Sequence, residues 1–209
     1  MTASQSSPDP APDGVLVEAA KLALRDQLLT ARRRRPLAEV GADARALAEV
    51  ALTQPEVRRA ATVAAYVAVG SEPGTGPLLD ALTAAGKRVV LPVLQPDLDL
   101  DWGTWRGSTS LAPARMGLLE PVDRLGLDAV ATADVVLVPG LAVSPAGERL
   151  GRGGGSYDRA LARVPVGTPV WVVLYDDEVG LTIPTAAHDR PVGGALTPTR
   201  VLRLPSVVG

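Results

Sequence analysis

The stretch that most restricts this fold opens with an apolar run, Val135-Val136-Leu137-Val138-Pro139-Gly140-Leu141-Ala142-Val143. That run has the length and β-branching of a buried strand. It leads into Gly147-Glu148-Arg149-Leu150-Gly151-Arg152-Gly153-Gly154-Gly155-Ser156-Tyr157-Asp158, and Arg159-Ala160-Leu161-Ala162-Arg163 reads as the start of a helix. Consecutive glycines admit positive φ and let a backbone come close to a ligand. A glycine turn feeding a helix start gathers unpaired N–H groups where an anion is favoured. Arg149 and Arg152 add two guanidinium forks suited to phosphate oxygens. Asp158 is then an anion beside an anion site, and Mg²⁺ between it and a polyphosphate removes the repulsion. A glycine run is also a common flexible loop, and an aspartate in a first helical turn also complements the dipole. Strand, arginines, glycines, aspartate and helix in that order favour nucleotide phosphate. No Gly-Lys-Ser/Thr follows, so this is not a P-loop, and the spacing misses the dinucleotide fingerprint.

The rest of the chain places this turn in an α/β setting. Residues 1–14 are rich in Ser, Pro and Asp and are expected to be a disordered tail. A helix is predicted over 15–35, with Leu16, Ala19, Ala20, Ala23 and Leu24 as its apolar stripe and Arg32 to Arg35 as a solvated end. Lys21 and Arg25, one turn apart, face the same way. Pro36 starts a second helix with Leu37, Val40, Ala44, Leu47 and Ala51 inward, ending near Gln54-Pro55. A strand over 62–69, a loop over 70–75, a short helix over 77–85 and a strand over 88–94 form a strand–helix–strand unit. Residues 95–126 read as irregular; Trp102 and Trp105 pack a loop or hairpin, or contact a flat ligand. A further strand is predicted over 168–175, and a last one over 195–204, where Thr197-Pro198 argues for an edge. The whole is read as one three-layer α/β/α domain with a mostly parallel sheet, over 15–209. Ligands in such sheets gather beyond the carboxyl ends of the strands. Glu72, Arg149, Arg152, Asp158 and Asp189 are therefore candidates for one cleft, although Glu72 and Asp189 also suit turn or cap duty. His188, the only histidine, reads as a surface residue.

Composition excludes several classes. A net charge of −2 gives no footprint for nucleic acid, and no stretch is long and apolar enough for a membrane span. With no cysteine there is neither a thiolate metal site nor a cysteine nucleophile. The N-terminal segment lacks the basic-then-apolar order of a signal peptide, and a cytoplasmic monomer is expected.

The motifs, taken in order, resemble the 5-formyltetrahydrofolate cyclo-ligase (methenyltetrahydrofolate synthetase) family. Lys21-Leu22-Ala23-Leu24-Arg25 is similar to its Lys-x-x-Leu-Arg signature, and Glu72-Pro73-Gly74-Thr75 to its Glu-x-x-Thr loop, followed by Gly86-Lys87 and a strand ending in Leu91-Pro92. Gly117-Leu118-Leu119-Glu120-Pro121 resembles its Gly-x-x-Glu-Pro element. Pro139-Gly140 with Arg149 to Asp158 is the most specific match, and His188-Asp189 fits the late aspartate. The resemblance implies conversion of 5-formyltetrahydrofolate and ATP to 5,10-methenyltetrahydrofolate, ADP and phosphate. Lys21 and Arg25 would hold ATP phosphates, with Arg149, Leu150, Gly151, Arg152, Gly153, Gly154, Gly155, Ser156 and Tyr157 wrapping the triphosphate. Asp158 and Asp189 would hold Mg²⁺. Val67, Glu72 and Tyr157 would contact the folate, with Glu72 accepting from the pterin's donor edge; Arg152 and Tyr157 are the catalytic candidates.

Two positions depart from the pattern. Ser156 stands where many relatives carry a second tyrosine, and Gly193 stands where an aspartate is common. Neither removes a phosphate or metal group. The competing readings are a non-catalytic folate or nucleotide binder, disfavoured by retention of Arg149, Arg152, Asp158 and Asp189, and another ATP-dependent phosphoryl transferase on the same scaffold.

Overall fold

Parallel strands covered on both faces read as unbroken apolar runs, and the middle of the chain supplies them. The structure, a computed structural model, describes residues 12–184 and 190–205. Its main strands are β1 (Thr62–Ala64), β2 (Arg88–Leu94), β3 (Leu100–Thr104), β6 (Val135–Pro139), β9 (Val170–Val173), β10 (Gly194–Leu196) and β11 (Val201–Arg203). They form one seven-stranded sheet in the order β11-β10-β9-β6-β1-β2-β3. The five central strands are parallel; β3 and β11 pair antiparallel at the two edges. Two short ribbons stand apart, β4 (Leu111–Pro113) with β5 (Leu119–Pro121), and β7 (Ala142–Val143) with β8 (Arg149–Leu150).

Alternation along the strands builds two cores. Val63, Val135, Leu137 and Val173 point to one face, under α2 (Leu37–Thr53), α3 (Pro55–Arg59) and α4 (Gly76–Ala84). Ala64, Val136, Val138 and Val172 point to the other, beneath α5 (Ser156–Leu161) and a 3-10 helix over Leu127–Thr132. Helix α1 (Pro12–Arg33) covers neither face. Its Leu24, Leu28 and Leu29 pack on Leu141, Leu150 and Ile183, so it lies against the ribbon that follows β6.

The three-layer α/β expectation holds, with corrections in detail. The apolar runs outlast the pairing. Beyond β1 only Ala65 still bonds to β2, its N–H donating to the Val90 carbonyl; residues 66–69 run on outside the sheet, and Gly140 separates β6 from β7. A Cβ on Gly140 would lie 2.4 Å from Val172, so the chain turns there only because the side chain is missing. The region over 95–126 holds an edge strand, β3, and a ribbon rather than irregular chain; Trp102 and Trp105 are both core residues. The last strand is a hairpin, with Thr197 and Pro198 in its turn. On α1 the expected stripe is largely solvent-facing: Leu16, Ala19, Ala20 and Ala23 are exposed. The packed face carries Lys21, Leu24, Arg25, Leu28 and Arg32 instead, long stems lying inward on one side of the helix. On α2, Leu37 is exposed and Ala48 takes part in the buried face.

Arg32 is likewise not a solvated helix end. Its side chain is fully buried and forks onto Glu178 at 2.7 Å through two nitrogens, while also donating to the Gly140 carbonyl. Arg35 stacks on Tyr175, 3.9 Å from the ring centroid, and pairs with Asp177. Removing one member of a buried pair leaves the other charge desolvated and alone. Glu178→Ala is therefore expected to cost about 3–5 kcal/mol of unfolding free energy in a urea titration, whereas Asp177→Ala, which strips a partner two-thirds exposed, is expected to cost under about 1 kcal/mol.

Candidate active site at the sheet switch point

The chain runs from β1 to β2 on one side and later returns to β6 on the other. The loops leaving β1 and β6 therefore diverge and open a crevice at the carboxyl ends of the strands. A cavity of about 460 Å³ occupies it, within the size range of small-molecule sites. One wall is Tyr66, Val67, Val69 and Glu72 from the segment after β1; another is the glycine loop, Gly151 to Gly155, with Tyr157 and Asp158. The third wall is apolar, from β2, β3 and the β4–β5 ribbon.

Each segment has a local cause. After β1, the Thr75 hydroxyl donates to the Tyr66 carbonyl and accepts from the Ala68 N–H, which folds residues 66–75 back on themselves. Glu72 accepts from the Val69 N–H at 2.8 Å, the turn duty considered for it, and still lines the cavity. Beyond β8, Gly153 and Gly155 adopt φ of 97° and 66°, a region costly for other residues. Gly151 has a different reason: a Cβ there would sit 2.8 Å from an Arg149 nitrogen. The N–H groups of Gly153, Gly154 and Gly155 donate to no protein acceptor among the described residues. They are open donors on the cavity wall.

The cations divide into fixed and movable ones. Arg149 is buried, donating to the Pro139 carbonyl at 3.1 Å and to Asp158 at 3.0 Å, and its guanidinium lies 5.8 Å from the Tyr157 ring centroid. Its Nε is buried without a partner among the described residues. Arg25 reaches from α1 to the Gly151 carbonyl at 3.0 Å and packs under Gly153. Lys21 is buried one turn earlier on α1. Arg152 differs: half exposed, it spans the mouth to Glu72 at 3.1 Å and to the Val69 carbonyl. Of the predicted site residues, Val67, Glu72, Arg149, Gly151 to Asp158 line one cavity, Arg25 supports its loop, and Leu150 is buried beneath it. Asp189 and His188 lie outside the described residues. The tryptophans do not line the cavity.

Two residues went unread. Tyr66 stands inside the apolar run after β1, its hydroxyl buried and without a partner among the described residues. Glu120 was noticed only as part of a motif; it is buried on the apolar wall. A hydroxyl-bearing side chain inside an otherwise aliphatic run, or a carboxylate standing before a proline in a leucine-rich stretch, was the available signal for each.

A doubly wound sheet with donors and an apolar chamber at its switch point defines an α/β enzyme of small molecules. Comparison with known proteins makes this specific. Residues 17–198 match the model of the 5-formyltetrahydrofolate cyclo-ligase family. The chain is 47% identical over 145 residues to the 5-formyltetrahydrofolate cyclo-ligase of Mycolicibacterium smegmatis, covering 66% of this chain and 74% of that one. It is 33% identical over 159 residues to the Escherichia coli K12 protein of the same description, covering 72% and 85%. Among solved structures, the 5,10-methenyltetrahydrofolate synthetase of Aquifex aeolicus superposes with a TM-score of 0.77 at 27% identity, over 90% of this chain and 95% of that one. The chain belongs to the 5-formyltetrahydrofolate cyclo-ligase family, and its activity is that of a folate-converting enzyme.

Burial raises the phenols of all three tyrosines above their ordinary range. At Tyr66 and Tyr157 the charge of Glu72 adds to it, while Arg149 opposes it at Tyr157 and Arg35 at Tyr175. The folded state thus keeps protons that the unfolded state gives up near about pH 10. Stability from these groups is complete below that pH and falls as pH rises above it. Phenolate absorbance is expected to stay flat through the ordinary range and to rise together with loss of far-ultraviolet circular dichroism.

Proposed function

We propose that the enzyme phosphorylates the formyl oxygen of 5-formyltetrahydrofolate with ATP and closes the ring by attack of the folate's second nitrogen. The supporting observation is that open N–H groups of the glycine loop and an apolar wall belong to one cavity, which Glu72 and Tyr157 also line. A triphosphate on the loop and a pterin in the chamber would bring the reacting ends together.

A formyl amide carbon is a weak electrophile with a poor leaving group. Attack of the formyl oxygen on the terminal phosphorus releases ADP and yields an imidate-like phosphate. The second nitrogen then bonds to the formyl carbon and loses its proton, and the C–O bond breaks with its electron pair leaving on phosphate. Alignment supplies much of the acceleration, up to roughly 7–11 kcal/mol in favourable cases, so no side-chain nucleophile is needed. Arg152, the half-exposed cation, would leave Glu72 for the transferring phosphoryl group; Lys21 and Arg25 would face the polyphosphate from α1. Tyr157, held protonated by burial, donates or stacks and does not act as a base.

Asp158 suits Mg²⁺: one oxygen takes Arg149, and the other has no protein partner among the described residues. No cluster of three metal-ligating side chains occurs among the described residues, which fits an ion held by one or two carboxylates, phosphate oxygens and water. Bound there, Mg²⁺ neutralises phosphate charge; Asp189 is proposed as the second ligand.

Purified protein is expected to form the methenyl product, followed by its absorbance, only with ATP and Mg²⁺ both present. Arg152→Ala and Asp158→Asn are each expected to lower kcat by about 10²-fold or more, the scale of losing a preorganised charge partner; Arg152→Ala keeps its unfolding midpoint near wild type, while Asp158→Asn lowers it, because buried Arg149 loses its carboxylate. Product formation without ATP, or full turnover in Asp158→Asn, overturns the reading.

A further inference from the structure

We propose that Glu120 recognises the aminopyrimidine edge of the substrate's pterin, an assignment that rests on reading this cavity as the folate site. Glu120 stands in β5, and its side chain crosses to the main sheet, where one carboxylate oxygen accepts the Leu94 N–H at 2.9 Å. The residue is 7% exposed and lines the cavity. Its second oxygen has no protein partner among the described residues.

Glu120 is largely removed from bulk water, but its second oxygen opens on the cavity, where it is free to accept from whatever fills the cavity. Its surroundings say which kind. Leu94, Leu98, Leu100, Met116, Leu118 and Leu119 line the wall beside it, so the complement is a flat, uncharged group with N–H donors on one edge. The pterin presents two, the 2-amino group and the N3–H, side by side. An ionised carboxylate has lone pairs enough to take both while keeping the Leu94 N–H. The rest of the substrate fits poorly: the glutamate tail is anionic, and the benzamide offers no paired donors.

Glu72 was the expected acceptor for this edge. Both of its oxygens are already engaged, one by the Val69 N–H at 2.8 Å and one by Arg152 at 3.1 Å. Glu120 therefore holds an acceptor that is vacant before any phosphate arrives, whereas Glu72 gains one only when Arg152 departs. It acts by positioning the ring.

The test compares 5-formyltetrahydrofolate with its 2-desamino-2-methyl analogue, in wild-type enzyme and in Glu120→Gln and Glu72→Gln. The glutamine at 120 still accepts from Leu94 but offers an amide donor where the pterin donors must dock. Wild-type enzyme is expected to show a KM at least tenfold higher for the analogue, with kcat within a few-fold. Glu120→Gln is expected to raise KM for the natural substrate at least tenfold, leave KM for ATP unchanged, and bring the ratio of the two folate KM values close to one. Equal KM values for both substrates in wild type overturn the assignment without reference to any variant. So does a ratio that collapses in Glu72→Gln and survives in Glu120→Gln. Absence of ATP-dependent turnover in wild type removes the underlying folate reading instead, and the two failures are told apart by that first measurement.

Discussion

Two consecutive carbonyls at the end of β6 each receive a buried guanidinium, and the geometry of the site follows from that. Arg149 donates to Pro139 and Arg32 to Gly140. One comes from the ribbon after β6 and the other from α1, more than a hundred residues earlier. A strand that stops at Gly140 exposes carbonyl oxygens at the sheet's end, and oxygens buried there need donors. The guanidinium, with five N–H groups in a plane, satisfies them and still pairs with a carboxylate. Each arginine does so, with Glu178 and Asp158 respectively. Buried pairs of this kind contribute little net stability against an apolar replacement. Their effect here is positional, since they hold α1 and the glycine loop on the two sides of one strand end.

The same feature explains what was legible in the chain and what was not. Strands β2, β6 and β9 were readable because each is an apolar run covered on both faces. Their lengths were overread: apolarity reports burial, and residues 66–69 are buried or half-buried beside the cavity without a strand to pair with. β3 was missed because an antiparallel edge strand with Asp101 and Gly103 lacks the apolar continuity of its neighbours, although Trp102 fills the core. The α1 stripe was misplaced for a related reason. Hydropathy counts lysine and arginine as outward residues, yet their stems are long enough to lie inward when carbonyls or carboxylates await the head groups. Arg32 is fully buried on that ground, and its partners Gly140 and Glu178 could not be paired with it from the sequence.

The site residues divide along the same line. The glycine loop was legible because its requirement is local: positive φ at Gly153 and Gly155, and close approach at Gly151, leave a signature in the letters themselves. Partnerships were not legible. Arg149 read as a phosphate fork, but its occupancy is decided by the Pro139 carbonyl and by Asp158 one helical turn beyond the loop. Glu120 was overlooked because nothing in Gly117 to Pro121 reports that Leu94 supplies one donor and the apolar wall supplies none.

Charge accounting within the cavity then separates a rigid frame from a responsive part. Arg149 is 4% exposed and Arg152 is 51% exposed, though they stand three residues apart. Exchanging the partner of a buried guanidinium strands two desolvated groups; when Arg152 leaves, its own guanidinium meets water and only the Glu72 carboxylate, 8% exposed, is left to the cavity. An arriving polyanion therefore meets a fixed background from Arg149 and Asp158 and a cation, Arg152, whose guanidinium solvent already reaches. Releasing Arg152 also frees a Glu72 oxygen on the cavity wall, beside Tyr157. Occupation of the glycine loop and the polarity of the opposite wall are in this way joined through one ion pair with a half-exposed cation and a buried carboxylate, and the coupling needs no movement of the sheet.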